Sequence, residues 1–392
     1  MEKVVIVAGA RTPIGSYRGM LSGTPAHVLG AQAASGALKR ARLEPAAVDE
    51  VIMGCVGQHG SDAYNARRVS LSAGIPTSTP AFNVNRLCGS GLQAIWSGAQ
   101  QLLWGGADVI VAGGNESMSR SPFLDYSARG NPRLAHRTLI DGTLAMLTDP
   151  FSDQHMGVTA ENVAVRFGIS REEQDAFALE SQRRAASPEA RAAFADEIVA
   201  VTAGGRDGAE VLVDEHPRPS TDLEALARLR PAFVADGTVT AGNASGISDG
   251  AAATVLMRES DVRARGINGL ATIEAVAVAG NDPEIMGYAP VHALERLFAQ
   301  TGLTASNIDV FELNEAFAAQ ALAVIRDAGL DPAKTNPYGG AIALGHPIGA
   351  TGAVLALRAA LTLQRRRREY AVVTLCIGGG QAIAALLNRW DG

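Results

Sequence analysis

With 392 residues, 47% of them hydrophobic and 19% charged, the chain can bury a large core and is expected to form more than one domain or an internally repeated unit. Its net charge of -6 supplies no basic field for nucleic acid, and no uninterrupted apolar run reaches the roughly 18 residues of a membrane span. Three cysteines, Cys55, Cys88 and Cys376, are too few for a disulfide framework, so a reducing cytoplasm is the expected compartment.

The chain opens with the strand-like run Val4-Val-Ile-Val7 in place of a targeting segment, and Arg389-Trp-Asp-Gly392 matches no peroxisomal or endoplasmic-reticulum tail. Short Val/Ile runs bounded by glycine then alternate with amphipathic stretches. The spacing predicts helices over 28–40, 92–103, 291–301 and 315–328, and strands over 51–53, from Val109, over 310–313 and over 371–375. That alternation implies mixed α/β layers with mostly parallel strands. Between about 119 and 246 the rhythm breaks into Pro-, Asp- and Arg-rich turns with one clear helix over 171–186 and little strand signal. This stretch reads as a long insertion over the face of the first half, a common place for substrate contacts.

The chain also resembles itself. Leu43-Glu-Pro-Ala-Ala-Val48-Asp49 before Val51 has a counterpart in Leu303-Thr-Ala-Ser-Asn-Ile308-Asp309 before Val310. Val109-Ile-Val-Ala-Gly-Gly114 pairs with the run from Val372, and Asn85-x-x-Cys88-Gly-Ser with Asn336-x-x-Gly339-Gly-Ala. Two related halves are expected.

Three glycine-rich settings carry the chemistry. Cys88 lies in Asn85-Arg-Leu-Cys-Gly-Ser-Gly91 and leads into an apolar helix. A free Cys is also at home as a small buried hydrophobe. At a helix start, however, its thiol pKa can fall to about 3.5–7.5, which favours a nucleophile. His346 sits among Gly339, Gly340, Gly345, Gly349 and Gly352, too many for routine helix or strand, so close backbone approach is implied. A neutral imidazole there can take a proton from Cys88, although a lone His is more often a satisfied core residue. Cys376 ends an apolar strand before Gly378-Gly379-Gly380, which lacks the spacing of a dinucleotide fingerprint or a P-loop. Zinc binding by Cys88, His346 and Cys376 is conceivable but lacks a close Cys-x-x-Cys pair. Cys55 reads as a buried structural thiol.

Taken together, the chain resembles the thiolase family. The resemblance rests on Ala10-Arg-Thr-Pro-Ile-Gly15, the Cys88 segment, Gly113-Gly-Asn-Glu-Ser-Met-Ser119, His155-Met-Gly-Val-Thr-Ala-Glu-Asn162, Val239-Thr-Ala-Gly-Asn-Ala-Ser-Gly246, Asn314-Glu-Ala-Phe317, Gly345-His-Pro-Ile-Gly349 and Cys376-Ile-Gly-Gly-Gly380. It implies an α/β thiolase fold of layers αβαβα, each half carrying a five-stranded mixed sheet. Residues 1–118 and 247–270 would form the N-terminal half, 119–246 a loop domain that binds CoA, and 271–392 the C-terminal half. It implies reversible Claisen condensation or thiolysis of 3-ketoacyl-CoA, most simply two acetyl-CoA to acetoacetyl-CoA and CoA. Cys88 is then the acylated nucleophile, His346 its base, and Cys376 the acid and base for the second substrate. One oxyanion pocket would use His346 with a water held by Asn314, the other the N–H groups of Cys88 and Gly378.

The same resemblance places His155, Arg218, Phe233 and Ser245 near CoA, and Met286 and Phe317 at the acyl end, a Met at that position going with short chains. Gln154 and Ala289 depart from the usual residues and bear on chain length. Acyl-CoA and CoA are the expected partners, with no nucleic acid, no membrane, no metal and no redox cofactor, in a homotetramer built as a dimer of dimers. Other readings are a 3-ketoacyl-CoA thiolase for longer or functionalised acyl chains such as 3-oxoadipyl, a ketoacyl-synthase-like condensing enzyme, disfavoured by the second catalytic Cys, a non-catalytic acyl-CoA or lipid-binding relative, and a dinucleotide oxidoreductase.

Overall fold

The computed structural model describes residues 2–130, 134, 136–202 and 210–392. The first half runs β1 (Val4–Arg11), β2 (Gly15–Ser16), α1 (Ala26–Ala41), β3 (Glu50–Gly54), α2 (Asn65–Ser72), β4 (Ala81–Val84), α3 (Ser90–Trp104) and β5 (Val109–Ser117). An excursion follows, with β6 (Phe123–Leu124), β7 (Ile140–Asp141), α4 (Gly142–Met146), α5 (Met156–Phe167), α6 (Arg171–Ala185), α7 (Pro188–Glu197), β8 (Val201–Thr202), β9 (Glu210–Val211) and α8 (Leu223–Ala227). The chain returns through β10 (Ser248–Arg258) and α9 (Glu259–Ala264). The second half comprises β11 (Ala271–Gly280), α10 (Ala289–Thr301), β12 (Val310–Leu313), α11 (Ala318–Asp327), α12 (Ala341–Leu344), α13 (Thr351–Arg366), β13 (Tyr370–Ile377) and β14 (Gln381–Arg389).

Period-two alternation sorts the strands into layers. On β5, Val109 and Val111 pack against α1, whereas Ile110 and Ala112 pack against α3. On β13, Ala371, Val373 and Leu375 face the core that contains α3 and α13, while Val372 faces α10 and α11. The order is therefore α1, first sheet, α3 with α13, second sheet, α10 with α11. A helix between two sheets must be apolar nearly all round, and α13 is buried along most of its length.

The strands join in one ten-stranded sheet ordered β12-β13-β14-β11-β1-β10-β5-β3-β4, with β2 on β10. The halves meet through a short antiparallel pairing of β1 with β11, Val4 to Ile6 against Ile273 to Ala271. Mostly parallel pairing does not hold. Only β3 with β4, β3 with β5, and β12 with β13 are parallel, and the remaining pairs of the sheet are antiparallel. Nor does the second half have five full strands, because the place beside β12 is held by a single bridge from Phe311 to Thr335.

The duplication is visible atom by atom. Asp49 Oδ2 accepts from the N–H groups of Asp108 and Val109, and Asp309 Oδ2 accepts from those of Glu369 and Tyr370. Both β1 and β11 carry a register shift at the corresponding place, between Ile6 and Ala8 and between Ile273 and Ala275. A Cβ on Gly91 would lie 2.7 Å from Ala353 N, and one on Gly352 would lie 2.5 Å from Leu92 N, so the central helices touch backbone to backbone and reciprocally. Val109 with Tyr370 and Gly91 with Gly352 share an offset of 261 positions. Two equivalences expected from the sequence therefore change: β5 aligns with β13 from Tyr370 rather than Val372, and Cys88 corresponds to Gly349 rather than Gly339.

The excursion holds far more helix than one. α7 passes unnoticed in the sequence because Pro188 reads as a turn, when it occupies the first helical turn behind the Ser187 cap. The excursion is pinned to the central layer by a buried ion cluster. Arg11 on β1 donates to Glu197 at 2.6 Å and to both oxygens of Asp214, and Arg358 on α13 donates to Glu197 at 3.2 Å. Phe194 lies against both guanidinium groups. Burial lifts the neighbouring Glu312 carboxyl to about 8, so it adds no charge at neutral pH and the two cations balance two anions. Glu197→Gln leaves both cations under-compensated in the interior. The expected loss is about 3–5 kcal/mol, read as a lowered thermal midpoint.

Candidate active site

Cys88 sits on a tight turn between β4 and α3. Leu87 before it has φ +46°, a conformation rare for a branched side chain. The turn is held by Asn85 Oδ1 accepting from Leu87 N at 3.0 Å, and by Ser90 Oγ, which accepts from Arg86 N and donates to Leu87 O. Such strain costs of order 1–3 kcal/mol and persists only when the surroundings fix it. The helix proper begins two residues after the thiol, at Ser90.

That placement corrects the expectation of a depressed pKa. The N–H groups of Gly378 and of Cys88 itself favour a thiolate, but burial outweighs them and, with the nearby Glu116, pushes the thiol up to about 11. Cys376, 1% exposed at the end of β13, is also pushed up by burial and by Cys88. Gly379 and Gly380, with φ +78° and +75°, turn the chain from β13 into β14, so this glycine run builds a hairpin and presents the Gly378 N–H.

His346 follows Gly345, whose φ of +94° only glycine tolerates easily. Its Nδ1 lies 2.6 Å from Thr351 Oγ1, and that hydroxyl donates its one proton to Pro347 O at 2.9 Å. Thr351 must then accept from Nδ1–H, which leaves Nε2 as the bare, basic nitrogen. Burial lowers the imidazole to about 4, so it is neutral at physiological pH and able to receive a proton. Asn314, fully buried just past β12, has Nδ2 3.5 Å from Nε2, while its Oδ1 has no partner among the described residues.

These groups meet at a predominantly apolar cavity of about 280 Å³. Cys88, His346, Cys376 and Gly378 line it, as do His155, Phe233, Ser245, Met286 and Phe317. Two candidates do not. Asn314 stands behind His346, and Arg218 is exposed on the excursion, its backbone N–H bound to Gln182. His155 caps α5 by accepting from Gly157 N through Nδ1, and its ring stacks on Phe233 at 4.7 Å; Phe233 in turn meets Phe317 edge-on. Burial lowers the His155 pKa.

Sequence reading missed Leu87, Met118, Met146, Leu147, Met156 and Ile348, which supply much of the apolar lining. Met118, Met156 and Ile348 lie inside quoted motifs and were within reach; Met146 and Leu147 carry no local signal. The two departures stay out of the lining: Gln154 is exposed, and Ala289 opens α10 with φ -52°, where no glycine is required. Cys55 donates to Glu116, which also accepts from the N–H groups of Val56, Gly57 and Gly349. Among the described residues no group of three or more His, Cys, Asp or Glu is placed to hold a metal, and no helix is long and apolar enough to cross a membrane.

Residues 4–260 match the thiolase N-terminal domain and residues 267–389 the thiolase C-terminal domain. The chain belongs to the thiolase family. It is 48% identical over 391 residues to a beta-ketothiolase, BktB, of Cupriavidus necator, covering 99% of each chain. It is 47% identical to an acetyl-CoA acetyltransferase of Pseudomonas aeruginosa, covering 99% of this chain and 100% of that one. Among solved structures, human mitochondrial 3-ketoacyl-CoA thiolase in complex with CoA superposes with a TM-score of 0.95 at 45% identity, over 99% of this chain and 98% of that one. The Bacillus anthracis acetyl-CoA acetyltransferase gives 0.96 at 42%, over 99% of both. This thiolase is accordingly an acyltransferase with acyl-CoA and CoA as its substrates.

Because burial holds Cys88 as a thiol, alkylation by iodoacetamide in a Cys376→Ala background is expected to keep rising with pH towards about 11. A plateau already reached near neutrality would instead reveal a preformed thiolate–imidazolium pair.

Proposed function

We propose that this thiolase acts on short 3-ketoacyl-CoA thioesters, acetoacetyl-CoA foremost, cleaving them with CoA and condensing two acetyl-CoA in reverse. The observation that carries this reading is the pairing of two thiols, Cys88 and Cys376, with a neutral imidazole around one apolar cavity. In thiolysis the Cys88 proton passes to His346 Nε2 and the sulfur attacks the 3-keto carbon. The C2–C3 bond then breaks, the electron pair stays on C2 of the departing acetyl-CoA, and the Cys376 thiol protonates it. CoA–SH next gives its proton to the Cys376 thiolate, its sulfur displaces the acyl group, and His346 returns the proton to Cys88. Protons and charges balance over the cycle.

The oxyanion donors in this scheme are the Cys88 and Gly378 N–H groups on one side, and on the other the protonated His346 with a water held by Asn314. The two N–H groups already flank the Cys88 sulfur, which supports the assignment. His155, Phe233 and Ser245 would accept the pantetheine arm, and exposed Arg218 a CoA phosphate. Chain length follows from Met286 and Phe317, both nearly buried against Cys376, and from the position of Gln154 and Ala289 outside the lining. No metal or redox cofactor enters the scheme, and the cytoplasm suits free thiols.

A homotetramer is proposed on two surfaces: the outer edge of β4, unpaired among the described residues, with exposed Phe82, and the β6–β7 arm with exposed Phe123, Tyr126 and Leu139.

The deciding experiment compares CoA-dependent thiolysis of four-carbon, six-carbon and long-chain 3-ketoacyl-CoA. The highest kcat/KM is expected on the four-carbon substrate, and a preference for long chains would overturn the acyl-length assignment. Cys88→Ala should abolish turnover with the fold intact, whereas Cys376→Ala should still take an acetyl group from acetyl-CoA onto Cys88. Normal turnover by Cys376→Ala would end the two-thiol scheme.

A further inference from the structure

The catalytic loop is supported by a second histidine outside the cavity. His216 lies on the excursion, and its Nε2 is 2.9 Å from Ser248 Oγ at the start of β10. The same oxygen accepts the His346 backbone N–H at 3.0 Å and lies 2.7 Å from Gly246 O. One hydroxyl thus joins His216, the cavity-lining segment around Gly246, and the main chain of the catalytic imidazole.

The site is built around that ring. A Cβ on Gly246 would fall 2.4 Å from His216 Cε1, and one on Gly345 would fall 2.6 Å from Cδ2 and 2.4 Å from Ser248 Oγ. Both glycines leave room for the imidazole, one on each of the two segments that Ser248 bridges. The residues before His216 are equally anchored. Asp214 binds Arg11 and the Ile14 N–H, and the Glu215 carboxylate accepts from the N–H groups of Ser16 and Met20. The ring therefore cannot drift with a loose loop.

We propose that His216 is a positioning residue for catalysis, which acts through Ser248 to fix the main chain of His346 against the cavity-lining segment. The proposal rests on the reading of His346 as the base for Cys88. A shift of about 1 Å in a reacting group can cost on the order of 10²-fold in rate without weakening substrate binding, so such a residue should show in kcat and leave KM alone.

The test uses the full chain with acetoacetyl-CoA and CoA. His216→Phe keeps a ring between the glycines but removes the nitrogen, Ser248→Ala removes the hydroxyl, and His216→Gln restores a polar atom near Nε2. His216→Phe and Ser248→Ala should each lower kcat by about 10-fold or more with KM for acetoacetyl-CoA within about twofold, and the double variant should be no slower than the slower single one. His216→Gln should recover most of the loss. Wild-type kcat in His216→Phe or Ser248→Ala, a double variant as slow as the product of the singles, or no recovery in His216→Gln overturns the proposal. Should His216→Phe fail to fold, Ser248→Ala decides on the same criterion. Cys88→Ala separates the two layers: activity there defeats the underlying mechanism, whereas an inactive Cys88→Ala beside a normal Ser248→Ala defeats only the role of His216.

Discussion

The contact between α3 and α13 at Gly91 and Gly352 sets the geometry on which everything else depends. Two backbones can approach this closely only where neither carries a side chain, and each Cβ would lie within 3 Å of the other helix's main chain. The contact falls in the first turn of both helices. Cys88 is on the turn that enters α3, and His346 is on the loop that enters α13. Bringing the helix starts together therefore brings Cys88 and His346 to one place, and β13 beside α13 adds Cys376. Larger residues at the crossing would open the layers and separate the reacting groups together.

Around that crossing burial keeps His346 and Cys88 uncharged at neutral pH. Burial lowers His346 to about 4 and raises Cys88 to about 11, while Glu116 is lifted to about 7 despite three backbone donors. On His346 and Cys88 charge then appears only as a proton moves, in surroundings whose dipoles are already in place. The cluster of Arg11 and Arg358 with Glu197 and Asp214 is the counterpart: full charges are buried there, but they are mutually neutralised and sit away from the cavity lining.

Much of this was legible in the sequence, for identifiable reasons. Strands such as Val310–Leu313 announce themselves because a short, largely apolar run ends at a helix signal, and the Asp49 and Asp309 pair marks the duplication because each carboxylate performs the same local task. The candidate residues Cys88, His346 and Cys376 stand out because glycine gathers where backbone must approach. The register of the repeat was misread at Asn336, since Asn and Gly recur in unrelated tight turns. The Cys88 pKa was misjudged because a helix start is local, whereas desolvation comes from the whole assembled cavity. His216 and the His346 main chain meet at the Ser248 hydroxyl across 32 and 98 positions of sequence, and spacing along the chain holds no trace of that.

The reciprocal packing of the halves also shows where the internal symmetry breaks. Gly349 occupies the position in the second half that Cys88 occupies in the first, and at the same offset Glu116 answers to Ile377 beside Cys376. There the Glu116 carboxylate closes on the N–H groups of Val56, Gly57 and Gly349. The twin of the corner that holds Cys88 is thus closed by a carboxyl group bound to three backbone N–H groups, so the twofold likeness of the halves stops at the backbone and only one of the two corners opens onto the cavity with a thiol.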